Sequence, residues 1–154
     1  MKTLVYAGSF DPITLGHLNI IERASHLCDE LVVLLSSSKN KNYQFTIEQR
    51  QNFLKESTES IKNVRVDSFG GLLADYMQKN SYTCLLRGLR GPKDWYLEET
   101  MFITNKALSG NLETLCLLAS PKYRHISSSL VKELTPHLVD WKKFVPPCVE
   151  KCLK

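Results

Sequence analysis

The sequence predicts an α/β protein built on an open parallel five-stranded sheet with helices on both faces. Three observations carry that expectation. Apolar runs of strand length alternate with longer amphipathic segments. The strands read as near-continuous apolar stretches, the pattern of strands covered on both faces. The 154 residues hold no internal repeat, low-complexity tract or linker, so one domain spanning 1–154 is expected.

Taken in order, Leu4-Val5-Tyr6 reads as the first strand. Leu18, Ile21, Ala24 and Leu27 recur at near-helical spacing and predict a helix ending around Cys28-Asp29. Leu31-Val32-Val33-Leu34-Leu35 is a continuous apolar strand. Thr46-Ile47-Glu48-Gln49 has the spacing of a capping box, so a helix should run from there to about Ser60. Val64 to Asp67 is a third strand, Leu72 to Lys79 a short helix, and Thr83 to Leu86 a fourth strand. Trp95 to Leu108 reads as a helix closed by Gly110, and Leu115 to Leu118 as the fifth strand. A helix follows Ser127, and a short one begins after Pro146-Pro147. Right-handed crossovers are expected. In such sheets ligands bind at the carboxyl ends of strands, near the point where strand order reverses. The loops after Tyr6, Leu35, Phe69, Leu86 and Leu118 are therefore the candidate site.

Composition narrows the class. Hydrophobic residues make up 43% and charged residues 23%, which excludes wholesale disorder. No apolar run approaches the roughly 18 residues of a membrane span, and the N-terminus turns polar too soon for a secretory segment. A soluble cytoplasmic protein with no membrane partner is expected. Twenty basic and sixteen acidic side chains leave a net charge of +4. The excess lies in residues 78–154, with twelve basic and seven acidic groups, against eight and nine in residues 1–77. So mild a bias disfavours a nucleic-acid partner and suits small anions. Five cysteines without a C-x-x-C predict neither a disulfide framework nor a zinc site. Cys84 and Cys116, inside apolar runs, read as small hydrophobes of a protein in a reducing compartment.

The candidate loops carry the unusual residues. After the first strand comes Ala7-Gly8-Ser9-Phe10-Asp11-Pro12-Ile13-Thr14-Leu15-Gly16-His17. Its glycines let backbone approach a ligand, and Ser9 and His17 could donate to phosphate oxygens at a helix N-terminus. Taken alone, Gly16-His17 is equally a tight turn with a helix-capping histidine. The loop matches neither the P-loop nor G-x-G-x-x-G. After the fourth strand, Arg87-Gly88-Leu89-Arg90-Gly91 offers two guanidiniums that can grip phosphate bidentately. The basic loop from Ser38 to Thr46 contains Lys41, and Ile126-Ser127-Ser128-Ser129-Leu130-Val131-Lys132 opens a late helix.

Together these stretches resemble a known family. Thr14-Leu15-Gly16-His17 is similar to the (H/T)-x-G-H signature of the nucleotidylyltransferase superfamily, and Ile126 to Lys132 to its I-S-S-[ST]-x-x-[RK] signature. The run Gly8 to Thr14, the Arg87-Gly88-Leu89-Arg90 motif and Ser129-Leu130-Val131-Lys132-Glu133 resemble the bacterial phosphopantetheine adenylyltransferase branch, from Tyr6 to about Phe144. The resemblance implies a Rossmann-like nucleotidylyltransferase domain that reversibly joins ATP to 4′-phosphopantetheine, giving dephospho-coenzyme A and pyrophosphate. It implies in-line attack without a covalent enzyme intermediate. His17 would stabilise the α-phosphate in the transition state. Ser9, Lys41, Leu73 and Arg87 would bind phosphopantetheine. Ser9, Phe10, His17, Gly88, Leu89, Arg90, Glu98, Tyr123, Arg124, His125, Ile126, Ser127, Ser128 and Ser129 would bind ATP. It further implies Mg²⁺ without a nameable protein ligand, coenzyme A as a feedback ligand and a homohexamer. Other nucleotidylyltransferases, acting on nicotinamide mononucleotide or glycerol 3-phosphate, and a catalytically silent nucleotide sensor are the competing readings.

Overall fold

A computed structural model describes residues 2–38, 41–137 and 140–152. Strands β1 (Thr3–Gly8), β2 (Glu30–Ser36), β3 (Val64–Phe69), β4 (Cys84–Leu89) and β5 (Glu113–Leu118) form one parallel sheet in the order β3-β2-β1-β4-β5. Helices α1 (Leu15–Ser25), α2 (Ile47–Thr58), α3 (Leu73–Lys79), α4 (Pro92–Ser109), α5 (Ser128–Leu134) and α6 (Pro147–Cys152) surround it. The chain lays β2 and β3 to one side of β1, then returns to place β4 and β5 on the other. The reversal falls between β1 and β4.

The period of two along each strand feeds two cores. Leu4, Tyr6, Leu31, Val33, Leu35 and Leu86 pack against Ile20, Ile21, Leu54, Val131 and Val149 of α1, α2, α5 and α6. Val5, Ala7, Val32, Leu34 and Leu85 face the other way, onto Tyr76 and Met77 of α3. Trp141 and Val145 are buried in the first core, and Phe144 packs against it. Helix starts follow their caps. Thr14 and Thr46 each complete a capping box, the latter through Gln49 as the sequence predicts.

Three sequence expectations need correction. Helix α1 ends at Ser25 with His26 as its C-cap, short of Cys28. Strand β4 continues to Leu89, because Arg87, Gly88 and Leu89 pair with Cys116, Leu117 and Leu118, so the first three residues of the arginine motif lie on a strand. Strand β5 is not covered on both faces: Cys116 is exposed and Leu118 is 60% exposed. Its neighbour α4 buries only Asn105, leaving Tyr96, Leu97 and Ile103 in the open. Short 3₁₀ turns at Pro121–Tyr123, Thr135–His137 and Trp141–Phe144 were not expected from the sequence. Among the described residues no helix is long and apolar enough to cross a membrane.

Candidate active site

The site grows from the place where the sheet splits. β1 and β2 stay in register through six residue pairs, whereas β1 and β4 pair only at Val5↔Leu85 and Tyr6↔Leu86. Beyond that point the Arg87 side chain takes over, its Nη1 donating to the Ala7 carbonyl at 2.5 Å. The strands part around a cavity of about 300 Å³, within the size range of small-molecule sites. It is lined by β1 and its following loop, α1, β4, α4 and the start of α5. Gly88 keeps it open against α1, since a Cβ there would meet Ile20 Cγ1 at 3.2 Å and the Tyr6 hydroxyl at 3.4 Å.

His17 is held by its own helix cap. The Thr14 N–H donates to His17 Nδ1 at 3.1 Å, the Thr14 hydroxyl lies 3.0 Å from the same nitrogen, and the His17 N–H donates back to Thr14 Oγ1. Burial, then the Arg90 and Arg87 charges, lower its pKa to about 4, so the ring is neutral at pH 7. With Nδ1 accepting, the network assigns the proton to Nε2, a donor available to the cavity His17 lines. Burial likewise pushes Tyr6 up to about 12 and keeps its hydroxyl protonated.

Both arginines arrive already paired. Arg87 makes two 2.6 Å bonds to the Glu98 carboxylate, and Arg90 holds Asp94 from Nε and Nη2 at 2.9 and 2.8 Å. The hydrogen bonds from Arg90 hold the Asp94 carboxyl below the usual carboxylate range. Both acids come from α4, started by Pro92 directly after the motif. The serines of the late motif divide their work: Ser127 caps α5 by accepting from Leu130 N–H, Ser128 donates to the Pro12 carbonyl, and Ser129 is exposed.

The cavity gathers Ser9, Phe10, His17, Arg87, Gly88, Arg90, Glu98, Tyr123, Ile126, Ser127, Ser128 and Ser129. The ring of Phe10 is 1% exposed, edge-on to Tyr6 and His17. Lys41, Leu73, Leu89, Arg124 and His125 stand outside the lining: Leu89 is buried in β4, His125 packs on Phe144, and Lys41 and Arg124 are exposed. Residues 39 and 40 of the basic loop lie outside the described residues. The sequence did not point to Tyr6, Ile20 or Ala119 as lining residues; Tyr6 reads there as part of the first strand, and Ile20 and Ala119 carry no chemical signal of their own.

A cytidylyltransferase-like family model matches residues 5–134, which include every element of the cavity. A protein from Shouchella clausii (strain KSM-K16), named phosphopantetheine adenylyltransferase, is 40% identical over 154 residues, covering 100% of this chain and 97% of its own. A solved Vibrio parahaemolyticus structure, described as a nicotinate-nucleotide adenylyltransferase, superposes with a TM-score of 0.70 at 18% identity, over 99% of this chain and 92% of the other. That last likeness concerns the fold. The family match and the full-length identity place the chain, as a nucleotidyltransferase, in the phosphopantetheine adenylyltransferase family of the cytidylyltransferase-like group.

Proposed function

We propose that the enzyme reversibly transfers the adenylyl group of ATP to 4′-phosphopantetheine, giving dephospho-coenzyme A and pyrophosphate, the penultimate step of coenzyme A synthesis. The observation that carries this reading is the union, in one cavity at the sheet reversal, of His17, Ser9, both arginines and the Ser127–Ser129 motif. The full-length relative named for that activity supports it.

The acceptor phosphate is already an anion, so in-line attack on the α-phosphorus needs no general base. Positioning and electrostatic stabilisation then carry the rate. The neutral His17 donates from Nε2 to the α-phosphate as its charge builds. Arg87 meets the acceptor phosphate, and Ser9 the phosphates of both substrates. Arg90, Glu98 and Tyr123 to Ser129 receive ATP, with Phe10, Gly88 and Leu89 shaping its pocket. Lys41 and Leu73 are assigned to phosphopantetheine, and Arg124 and His125 to ATP, on the family resemblance.

Mg²⁺ belongs to this reading as a companion of ATP. Among the described residues no three His, Cys, Asp or Glu cluster to hold a metal ion, and the cavity's two carboxylates, Asp94 and Glu98, are each gripped by an arginine. Phosphate oxygens and water would then supply most of the Mg²⁺ shell. A single nucleotidylyltransferase domain over 1–154, a cytoplasmic setting and coenzyme A as feedback ligand complete the proposal. The five free thiols suit a reducing compartment.

The uncovered α4 and β5 surface, with Tyr96, Leu97, Ile103 and Leu118 each at least 60% exposed, favours burial against further copies of the chain. We propose the homohexamer that the family resemblance implies. Sedimentation equilibrium should return six times the 17.6 kDa chain mass, and a monomer would reject it.

The deciding experiment measures pyrophosphate release from ATP and Mg²⁺ with 4′-phosphopantetheine, nicotinamide mononucleotide or glycerol 3-phosphate. Release with phosphopantetheine alone is expected. Release with another acceptor rejects the substrate, and ATP binding without release makes the chain a sensor. Arg90→Lys, which loses the bidentate grip, should raise KM for ATP more than KM for phosphopantetheine. The reverse would exchange the roles of the two arginines.

A further inference from the structure

Two charged side chains lie deep in the protein outside the cavity lining, and both hold the same stretch of chain. Asp11 and Arg50 are each 2% exposed. Asp11 Oδ1 accepts from the Phe45 N–H and Oδ2 from the Gln44 N–H, both at 3.0 Å. Lys132 Nζ, from the late motif on α5, closes on Oδ2 at 3.1 Å. Arg50 Nη1 donates to the Ser9 carbonyl at 2.8 Å and Nη2 to Ser37 Oγ at 3.1 Å, while its guanidinium lies 3.9 Å from the centre of the Tyr43 ring. Its Nε has no partner among the described residues, and none of their carboxylates forms an ion pair with it.

One guanidinium therefore touches the connection between β2 and α2 at two points, Ser37 and Tyr43, together with the backbone of Ser9 in the cavity wall. One carboxylate fixes the next two residues, Gln44 and Phe45, to the loop that follows Ser9. Lys41 lies between Ser37 and Tyr43 in the chain. Helix α2 does not need this device to start, because Thr46 and Gln49 already complete its cap. A buried guanidinium without a carboxylate is costly to keep, and apolar residues of similar volume commonly serve stability as well or better. Its return lies in what it holds.

We infer that Arg50 and Asp11 are positioning residues that tie the loop carrying Lys41 to the backbone of Ser9, and so help place the phosphate of the acceptor substrate; the inference rests on the adenylyl-transfer reading. They act through Lys41 and the loop, not by touching the reacting atoms. Lys132 ties the same carboxylate to α5.

The test pairs each substitution with Lys41→Ala and reads both substrates in steady state. Asp11→Asn and Arg50→Lys should each raise KM for 4′-phosphopantetheine about tenfold or more and KM for ATP by clearly less, since small misplacements of a binding group carry large costs. In the Lys41→Ala background either change should add little, because the side chain they position is gone. Equal rises in both KM values, or losses that multiply with Lys41→Ala, would overturn the inference. Tyr43→Leu, at a half-buried position, removes the ring beneath the guanidinium and carries the same prediction if the buried variants fail to fold. Amide exchange in the ligand-free protein gives a readout independent of catalysis: Gln44 and Phe45 should lose protection in Asp11→Asn, and unchanged exchange would reject the clamp. If wild-type enzyme releases pyrophosphate only with a different phosphorylated acceptor, the substrate reading fails. The KM split measured on that acceptor then decides the clamp separately.

Discussion

Replacing His17 with alanine should lower kcat by about 10²–10³-fold, the usual loss when one preorganised donor to a developing oxyanion is removed. The protein should remain folded, because the change sacrifices the Nδ1 half of the α1 cap and one edge contact with Phe10 and leaves the buried strands untouched. Steady-state kinetics beside a thermal melt would show the two effects apart, and near-normal kcat would remove His17 from the mechanism. The pH profile separates a neutral donor from a charged one. With a folded pKa of about 4 against an ordinary 6.5, His17 is already neutral at pH 7 and stays so on raising the pH. Activity should therefore show no histidine step between about pH 6 and 8, whereas an imidazolium donor would fail as the pH rose through that range. Stability follows the opposite limb. Between 6.5 and 4 the unfolded chain binds the His17 proton and the folded chain does not, so the folded state loses ground as the pH falls. His17→Asn should flatten that part of a urea-midpoint series against pH.

Leu86→Ala should have the reverse signature: a large loss of stability with little change in the chemistry of molecules that remain folded. Leu86 is fully buried in the centre of β4, in register with Tyr6 on one side and Leu115 on the other. Truncating such a residue removes its transfer free energy and leaves a cavity, together about 2–5 kcal/mol. That is a large part of the roughly 5–15 kcal/mol that holds a domain together. For a chain of this size the melting temperature should fall by roughly 5–15 °C. Measured well below the transition, kcat should stay near the wild-type value, because Arg87 is held by hydrogen bonds to Glu98 and the Ala7 carbonyl rather than by the Leu86 side chain. A loss under about 1 kcal/mol would mean that the sheet closes over the gap.

Particular residues show how far a single sequence could be read. The order of strands and helices was legible because apolar runs and caps are local signals, and Thr46 with Gln49 marked the start of α2 to the residue. The end of β4 was not, since Arg87-Gly88-Leu89 looks like a polar loop and becomes a strand only by pairing with β5. The exposure of β5 depends on its place at the sheet edge, and topology leaves no mark on an apolar tetrapeptide. In the site, the glycine, histidine, serine and arginine motifs announced themselves by residue type. The clamp was hidden for two reasons. Asp11 meets partners 33, 34 and 121 positions away, and Arg50 lies one residue past the capping box of α2, where nothing local marks a charged side chain as buried.

The split between β1 and β4 also fixes the order in which the molecule can be made. As the chain leaves the ribosome, β1, β2 and β3 emerge first, and their neighbouring pairs can form with short connections. The wall that faces them must wait for Arg87, and the serines of the late motif come later still, at Ser127 to Ser129. A nascent chain ending before residue 84 can hold three strands and yet no nucleotide pocket. A ligand of that cavity therefore cannot steady the first half of synthesis. That half must stand on its own apolar packing, and ligand can stabilise only the finished protein.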